Sequence, residues 1–252
     1  TVENLYTWGT SVTVSSTFAS ATATGDPHLS LPYGGTADFR GTPGAYFNLL
    51  SALGLSLNVR FSDAVFKLRA VVVHGTFITE AHLALHTLSG KRFLLTYDAG
   101  RLTDTQMVYG MVNATCGGEA ATLGPKSVLD CDGLRASIDW STLTVETSEW
   151  LVKVTGQPAY GRISGPTHRL DVVLEPLVAE DEFAVEPHGL VGQSYDGSDV
   201  PRYGRIDQYP PLSVPAEFTT AAMAEGAIEG AAKDYEVADK YATQFRFSRF
   251  DA

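Results

Sequence analysis

Residues 25–41 read GDPHLSLPYGGTADFRG, and this run organises the reading of the whole chain. Asp26-Pro27 is flanked by Gly25 and His28, two glycines follow at 34 and 35, and an apolar-acidic-aromatic triplet, Ala37-Asp38-Phe39, closes toward Gly41. Proline fixes its own φ and glycine frees the turn, so the run reads as a corner followed by a tight turn into a short strand.

Outward from it, the chain alternates apolar and polar side chains in short stretches. Ser11–Thr17 has the period of a half-buried strand. Ala37–Arg40 and Ala45–Leu50 flank a Thr42-Pro43-Gly44 turn, and Leu55–Phe61 places Leu55, Leu57, Val59 and Phe61 on one face. Phe66–Val73, Thr76–Leu88, Phe93–Tyr97, Gln106–Val112, Leu134–Ile138, Thr142–Glu146, Trp150–Thr155 and Arg169–Leu174 continue the pattern, and the 143–146 and 150–154 segments read as a hairpin. Strands recurring about every ten residues with glycine turns between them predict a mainly β fold, a sandwich of antiparallel strands. The composition shifts after Tyr209. Pro210–Pro215 reads as an extended linker, Phe218–Ala238 as a helix and Tyr241–Phe250 as a final strand. We therefore expect one β-domain over 1–209, with linker, helix and strand of 210–252 packed on it.

The run 25–41 resembles the opening of the von Willebrand factor type D domain, in which Gly-Asp-Pro-His is followed by a glycine turn and an aromatic-Asp-Phe-x-Gly strand. Gly25, Asp26, Pro27, His28, Gly34, Asp38, Phe39 and Gly41 carry the likeness. Residues 189–199, GLVGQSYDGSD, resemble the family's late Gly-Leu-x-Gly-x-aromatic-Asp-Gly-x-x-Asp loop. The resemblance implies an extracellular structural, adhesion or assembly module, with other extracellular proteins, glycans or further copies of itself as partners. The chain departs from animal members in its cysteines: it has two, and Val191 stands where the late motif usually has one. Disulfide-linked polymerisation is therefore not expected.

Charge narrows the function further. There are 18 basic and 29 acidic residues, a net charge of -11, and no basic run longer than Lys91-Arg92. Nucleic-acid backbones demand clustered Lys and Arg, so that partner class is excluded. No apolar stretch approaches the roughly 18 residues of a membrane-spanning helix. The chain begins at Thr1, which reads as a processed or excised segment. Cys116 and Cys131 would close a loop worth about 3 kcal/mol on the chain-entropy estimate; the alternative is two unrelated buried thiols. Asn113-Ala114-Thr115 is an N-glycosylation sequon immediately before Cys116, and together with a disulfide it favours a secreted or cell-surface glycoprotein.

Three sets of residues could carry chemistry. Asp196 and Asp199, continuing to Asp207, offer hard oxygen ligands around Gly197, a donor type suited to calcium. The resembled family holds structural calcium there, with an acid from the turn after the opening motif. Tyr33 occupies that position here, so Asp38 or a backbone carbonyl must complete the set. The bland reading is an Asp-Gly turn whose carboxylates cap local amides. Asp26-Pro27 is itself reactive: the Asp26 carboxylate can attack its own carbonyl and His28 can supply a proton, making autocleavage one reading and a structural corner with a bonded His28 the other. In some members of the resembled family, cleavage leaves a C-terminal Asp able to form covalent links. The third set is a runner-up, a carbohydrate-binding or hydrolytic domain. Ser194 lies near His188 and Asp196, but without Gly-x-Ser-x-Gly spacing. Paired carboxylates are too common in an acidic β-protein to be diagnostic. His82 and His86 could share a zinc on a helix; on the strand expected here they are ordinary solvent-face residues.

Overall fold

A computed structural model describes residues 18–103 and 108–252. The expected strand at 11–17 and the first two residues of the one at 106–112 lie outside that range. Seventeen strands follow in chain order: β1 (Ala21–Thr24), β2 (His28–Ser30), β3 (Thr36–Asp38), β4 (Tyr46–Ala52), β5 (Leu55–Leu68), β6 (Val71–His86), β7 (Arg92–Asp98), β8 (Val112–Cys116), β9 (Glu119–Leu123), β10 (Ser127–Cys131), β11 (Leu134–Asp139), β12 (Thr142–Glu146), β13 (Trp150–Pro158), β14 (Arg162–Ser164), β15 (His168–Pro176), β16 (Ala216–Thr219) and β17 (Glu236–Val237). One sheet has the order β10-β11-β12-β13-β15-β1-β2-β3; the other runs β17-β4-β5-β6-β7-β8-β9, with β14 added to β5 and β16 to β6. Among these strands every pairing is antiparallel except β16 on β6, and a further isolated bridge, Thr36 to Tyr203, is parallel.

The alternation seen in the sequence is the reason the sheets stack. In register across β5, β6, β7 and β8 stand Leu57, Leu83, Leu95 and Ala114, all buried. They pack in one core with Ala136, Ile138, Leu143, Val145, Val152, Val154, Leu170, Val172 and Leu174 of the other sheet. Removing such rows from water is the main stabilising term, at about 25 cal/mol per Å². Gly41 has φ 69° and lies under the Phe61 ring, where an added Cβ would sit 2.5 Å from Phe61 Cγ. The motif glycine is thus required by both its backbone and its neighbour.

β5 and β6 are much longer than the strands beside them. Their far halves run on past β4 and β7, turn at Arg69 (φ 56°), and build a second, smaller core from Ala64, Phe66, Val71, Val73, Phe77 and Ala159 with Tyr209, Leu212, Ala216 and Phe218. The strand expected over 66–73 is therefore divided by a hairpin turn.

The carboxy-terminal expectation is corrected. No α-helix occurs among the described residues. Residues 218–238 hold the end of β16, turns, a 3-10 turn over Ala232–Tyr235, and β17. Gly226 and Gly230 take left-handed φ of 92° and 67°, conformations a helix does not use, and each glycine in a helix costs about 1 kcal/mol against alanine. The backbone instead bonds outward: Arg40 N donates to Ala222 O and Ala224 N donates to Asp38 O. Residues 241–250 are docked as expected of that aromatic run, but as turns, not as a strand.

His82 also differs from its expectation. It lies on a strand, β6, yet is completely buried, while His86 is exposed. Residues 240–242 cover it: Asn58 donates to the carbonyls of Lys240 and Ala242, and the Tyr241 ring meets the imidazole edge-on at 5.7 Å. Its nitrogens bond to Thr96 Oγ1 at 2.9 Å and Glu80 Oε2 at 3.0 Å. The latter bond, with Arg60 beyond it, holds the Glu80 carboxyl down to about 2 against the opposing effect of burial.

Cys116 and Cys131 form a disulfide with a Cα–Cα separation of 5.8 Å, tying β8 in one sheet to β10 in the other. Replacing both by serine is expected to lower unfolding stability by about 3 kcal/mol, the closure entropy of a loop this long. Chemical denaturation of the double variant against the oxidised parent measures it, and an unchanged midpoint would show that the crosslink restrains nothing.

Candidate functional site at the Asp26–Pro27 bond

The pairing of β2 with β3 sets His28 directly opposite Asp38, so the two side chains share a face. His28 Nδ1 lies 2.7 Å from Asp38 Oδ1, and its Nε2 lies 3.2 Å from Asp26 Oδ1. Asp26 is at the turn joining β1 to β2, with Gly25 N donating to Asp171 Oδ1 at 3.1 Å and Phe39 N donating to Pro27 O at 3.0 Å. The second Asp26 oxygen accepts from the Tyr209 hydroxyl at 2.5 Å. Asp26 and Asp38 are buried, whereas the His28 side chain is 49% exposed.

Tyr209 reaches this corner because residues 202–207 run along the outer edge of β3. Thr36 N donates to Arg202 O, Gly204 N to Thr36 O and Asp38 N to Arg205 O; Asp207 N then donates to the second Asp38 oxygen at 2.8 Å. Pro210 biases the residue before it toward extended backbone, and the Tyr209 ring packs on Phe218 at 4.7 Å. In the sequence Tyr209 is the last residue of the expected β-domain, directly before the linker, and has no assigned role. Its one signal was an aromatic residue directly before two prolines.

The electrostatics follow from these contacts. The hydrogen bond to Asp26, then the one to Asp38, pushes the His28 imidazole up to about 10 against the opposing effect of burial. The ring is therefore a cation at neutral pH and donates through both nitrogens. Burial, reinforced by the bond to Asp26, also raises the Tyr209 hydroxyl above the ordinary tyrosine value, so it stays a donor. One carboxylate beside the Asp26-Pro27 bond is thus oriented on both oxygens, with a proton source alongside.

The four acids expected to bind calcium are divided. Asp38 accepts from His28 and Asp207 N. Asp207 accepts from Ala221 N at 2.9 Å and from Ala222 N. Asp196 accepts from Ser198 N at 3.1 Å and Arg202 Nη2 at 2.6 Å, while Asp199 is exposed. Beside this loop Glu180 accepts from Gly197 N and from Tyr33, both at 2.7 Å, and that bond pushes the Tyr33 hydroxyl up to about 12. Among the described residues no group of three or more His, Cys, Asp and Glu side chains could hold a metal ion.

His188, Ser194 and Asp196 do not converge either. His188 bonds to Gly189 N and Glu229, and the buried Ser194 hydroxyl has no hydrogen-bond partner among the described residues. Asn113 is exposed on β8, its side-chain amide oxygen Oδ1 accepting from Arg101 Nη1 at 2.7 Å. No helix among the described residues is long and apolar enough to cross a membrane. Compared with known proteins, the chain matches no family model and no curated protein.

The raised His28 value makes a signed prediction. Its folded pKa exceeds the unfolded value of about 6.5, so its stabilisation is complete below that value and is lost as pH rises through about 10. The parent's melting temperature should therefore fall relative to a His28→Gln variant as pH climbs from 6.5 toward 10. Parallel melting curves across that window would refute the cationic assignment.

Proposed function

We propose that this chain is a non-enzymatic extracellular structural module, a divergent and cysteine-poor relative of the von Willebrand type D domain, serving adhesion or assembly. We propose further that it is processed once, by itself, at Asp26-Pro27. The observation that carries this reading is the Asp26 carboxylate, held by the His28 imidazole and the Tyr209 hydroxyl next to a bond to proline. The disulfide between the sheets and the exposed Asn113 sequon support an oxidising, extracellular setting.

The chemistry balances within the chain. An Asp26 carboxylate oxygen attacks the carbonyl carbon of the same residue and closes a five-membered cyclic anhydride. The bond to Pro27 nitrogen breaks, and the nitrogen takes a proton from the His28 imidazolium to leave as an amine. Water opens the anhydride to two carboxyls, or a hydroxyl or amine of a partner opens it to an ester or amide. His28 regains its proton from the attacking nucleophile. Each molecule reacts once, so there is no turnover.

Incubating the purified protein in neutral and mildly acidic buffer, followed by mass spectrometry, tests this. Two fragments are expected, one ending at Asp26 and one beginning at Pro27. His28→Gln should slow their appearance by about a hundredfold, the low end for a general acid, and Asp26→Ala should stop it. A parent chain still whole after days, or equal cleavage in Asp26→Ala, would sink the processing claim.

A further inference from the structure

The two ends of the long β5–β6 hairpin have opposite character. At the end where β5 begins, the β4–β5 turn, the end of β6 and the turns of the facing sheet enclose a groove of about 560 Å³. Leu53 and Leu88 stand on its walls, 45% and 98% exposed. Its charged lining is Asp130, Glu146 and Glu149 against the single guanidinium of Arg135. Asp130, Arg135 and Glu146 are cross-strand neighbours on β10, β11 and β12, so Arg135 offsets one acid and the groove stays negative.

At the other end the hairpin tip projects on its own small core. Lys67 and Leu68 end β5, Arg69 opens the turn, and β14 beside it adds Arg162 and Ile163, all exposed. Residues 64–79, 150–170 and 208–216 of this end contain no aspartate or glutamate; β16 adds Glu217, opposite Val72, whose carboxylate lies 3.7 Å from the His74 imidazole and is offset by it. In a chain with 29 acids against 18 bases, such a gap makes the tip the counterpart of the groove. β5 runs unbroken between them for 14 residues, roughly 43 Å at about 3.3 Å per residue.

We propose that the hairpin tip of one molecule docks in the groove of the next, so that the chain assembles head to tail with copies of itself. Leu68 enters between Leu53 and Leu88, while Lys67 and Arg69 meet Asp130 and Glu146. Apolar contact supplies the attraction and opposite charge sets the register and partner choice. Tip and groove are different surfaces at opposite poles, so each molecule keeps one free docking element, and a heterologous contact of this kind propagates as a row. The proposal rests on the assembly reading above and names its partner.

Sedimentation velocity over a concentration series tests it. The parent should show a weight-average mass that rises with concentration and falls with salt. A tip variant, Lys67→Glu with Arg69→Glu, and a groove variant, Leu88→Ser with Glu146→Gln, should each associate about tenfold more weakly. Mixed together, they should stop at a one-to-one dimer, because the groove of the first and the tip of the second remain intact. All four positions are exposed, so melting curves should stay at the parental temperature and show both variants folded. A parent that remains monomeric to millimolar concentration, variants that associate as the parent does, or a mixture that grows beyond dimers would overturn the proposal. Mass spectrometry of the same samples reports Asp26-Pro27 cleavage separately, so either claim can fail without the other.

Discussion

Asp38 is a buried carboxylate, and a buried charge must be paired and hydrogen-bonded or the fold loses several kcal/mol. Its two oxygens take His28 and the amide of Asp207, its amide donates to Arg205, and its carbonyl accepts from Ala224. Those four bonds join β2, the strand-like run along the sheet edge and the carboxy-terminal segment to one residue of β3. The corner at Asp26 is a consequence. With His28 anchored on one nitrogen by Asp38, the other faces Asp26. With Asp207 anchored by the same carboxylate, Tyr209 two residues later reaches the same side chain.

A similar constraint explains the carboxy-terminal segment. Asn48, Asn58 and His82 pair across β4, β5 and β6 on the face opposite the core. They are polar, and all are fully buried. Such a row is stable only if something supplies its partners and excludes water. Residues 240–242 do so with two carbonyls and a tyrosine ring, and Ser51 Oγ accepts from Arg249 N further along. A helix over 218–238 would have spent on itself the Ala222 carbonyl and the Ala224 amide that instead bond to Arg40 and Asp38. The chain instead unwinds at Gly226 and Gly230 and lays its carbonyls on the sheet.

Much of the fold was legible in the residues because the core is a period-two signal: Leu55, Leu57, Val59 and Phe61 point one way on β5 as their spacing requires. The hairpin of β12 and β13 was legible for the same reason, and so were the corner at Gly25–His28 and the turn at Gly44. Alternation does not say what lies on the outer face. His82 looked like a solvent residue because the segment that buries it arrives about 160 positions later, as its bond partners show. Alanine-rich composition between 218 and 238 favoured a helix by propensity, which tertiary contacts overrode. Tyr209 escaped notice because its role comes from reach across the fold and from no local pattern. The acids 38, 196, 199 and 207 were legible as hard oxygen donors and read as calcium ligands, with capping of local amides as the alternative. Their grouping was not, since amides and guanidinium groups claim three of them separately.

The position of Asp26-Pro27 limits what cleavage there could change. The bond lies in the turn between β1 and β2, and β1 is an interior strand, paired to β15 on one side and β2 on the other. A cut would leave β1 with its ladders on both sides and its buried alanines, Ala21 and Ala23, in the core. The shorter fragment would remain seated, because burial and two rows of backbone bonds hold it and not the peptide link alone. Breaking the bond would therefore alter local chemistry more than shape, leaving an activated Asp26 carbonyl in a buried corner, beside the exposed His28, that β2, β3 and Tyr209 still hold. A reactive group is most useful to an assembling scaffold in that form: fixed in place, with the sheets around it already folded.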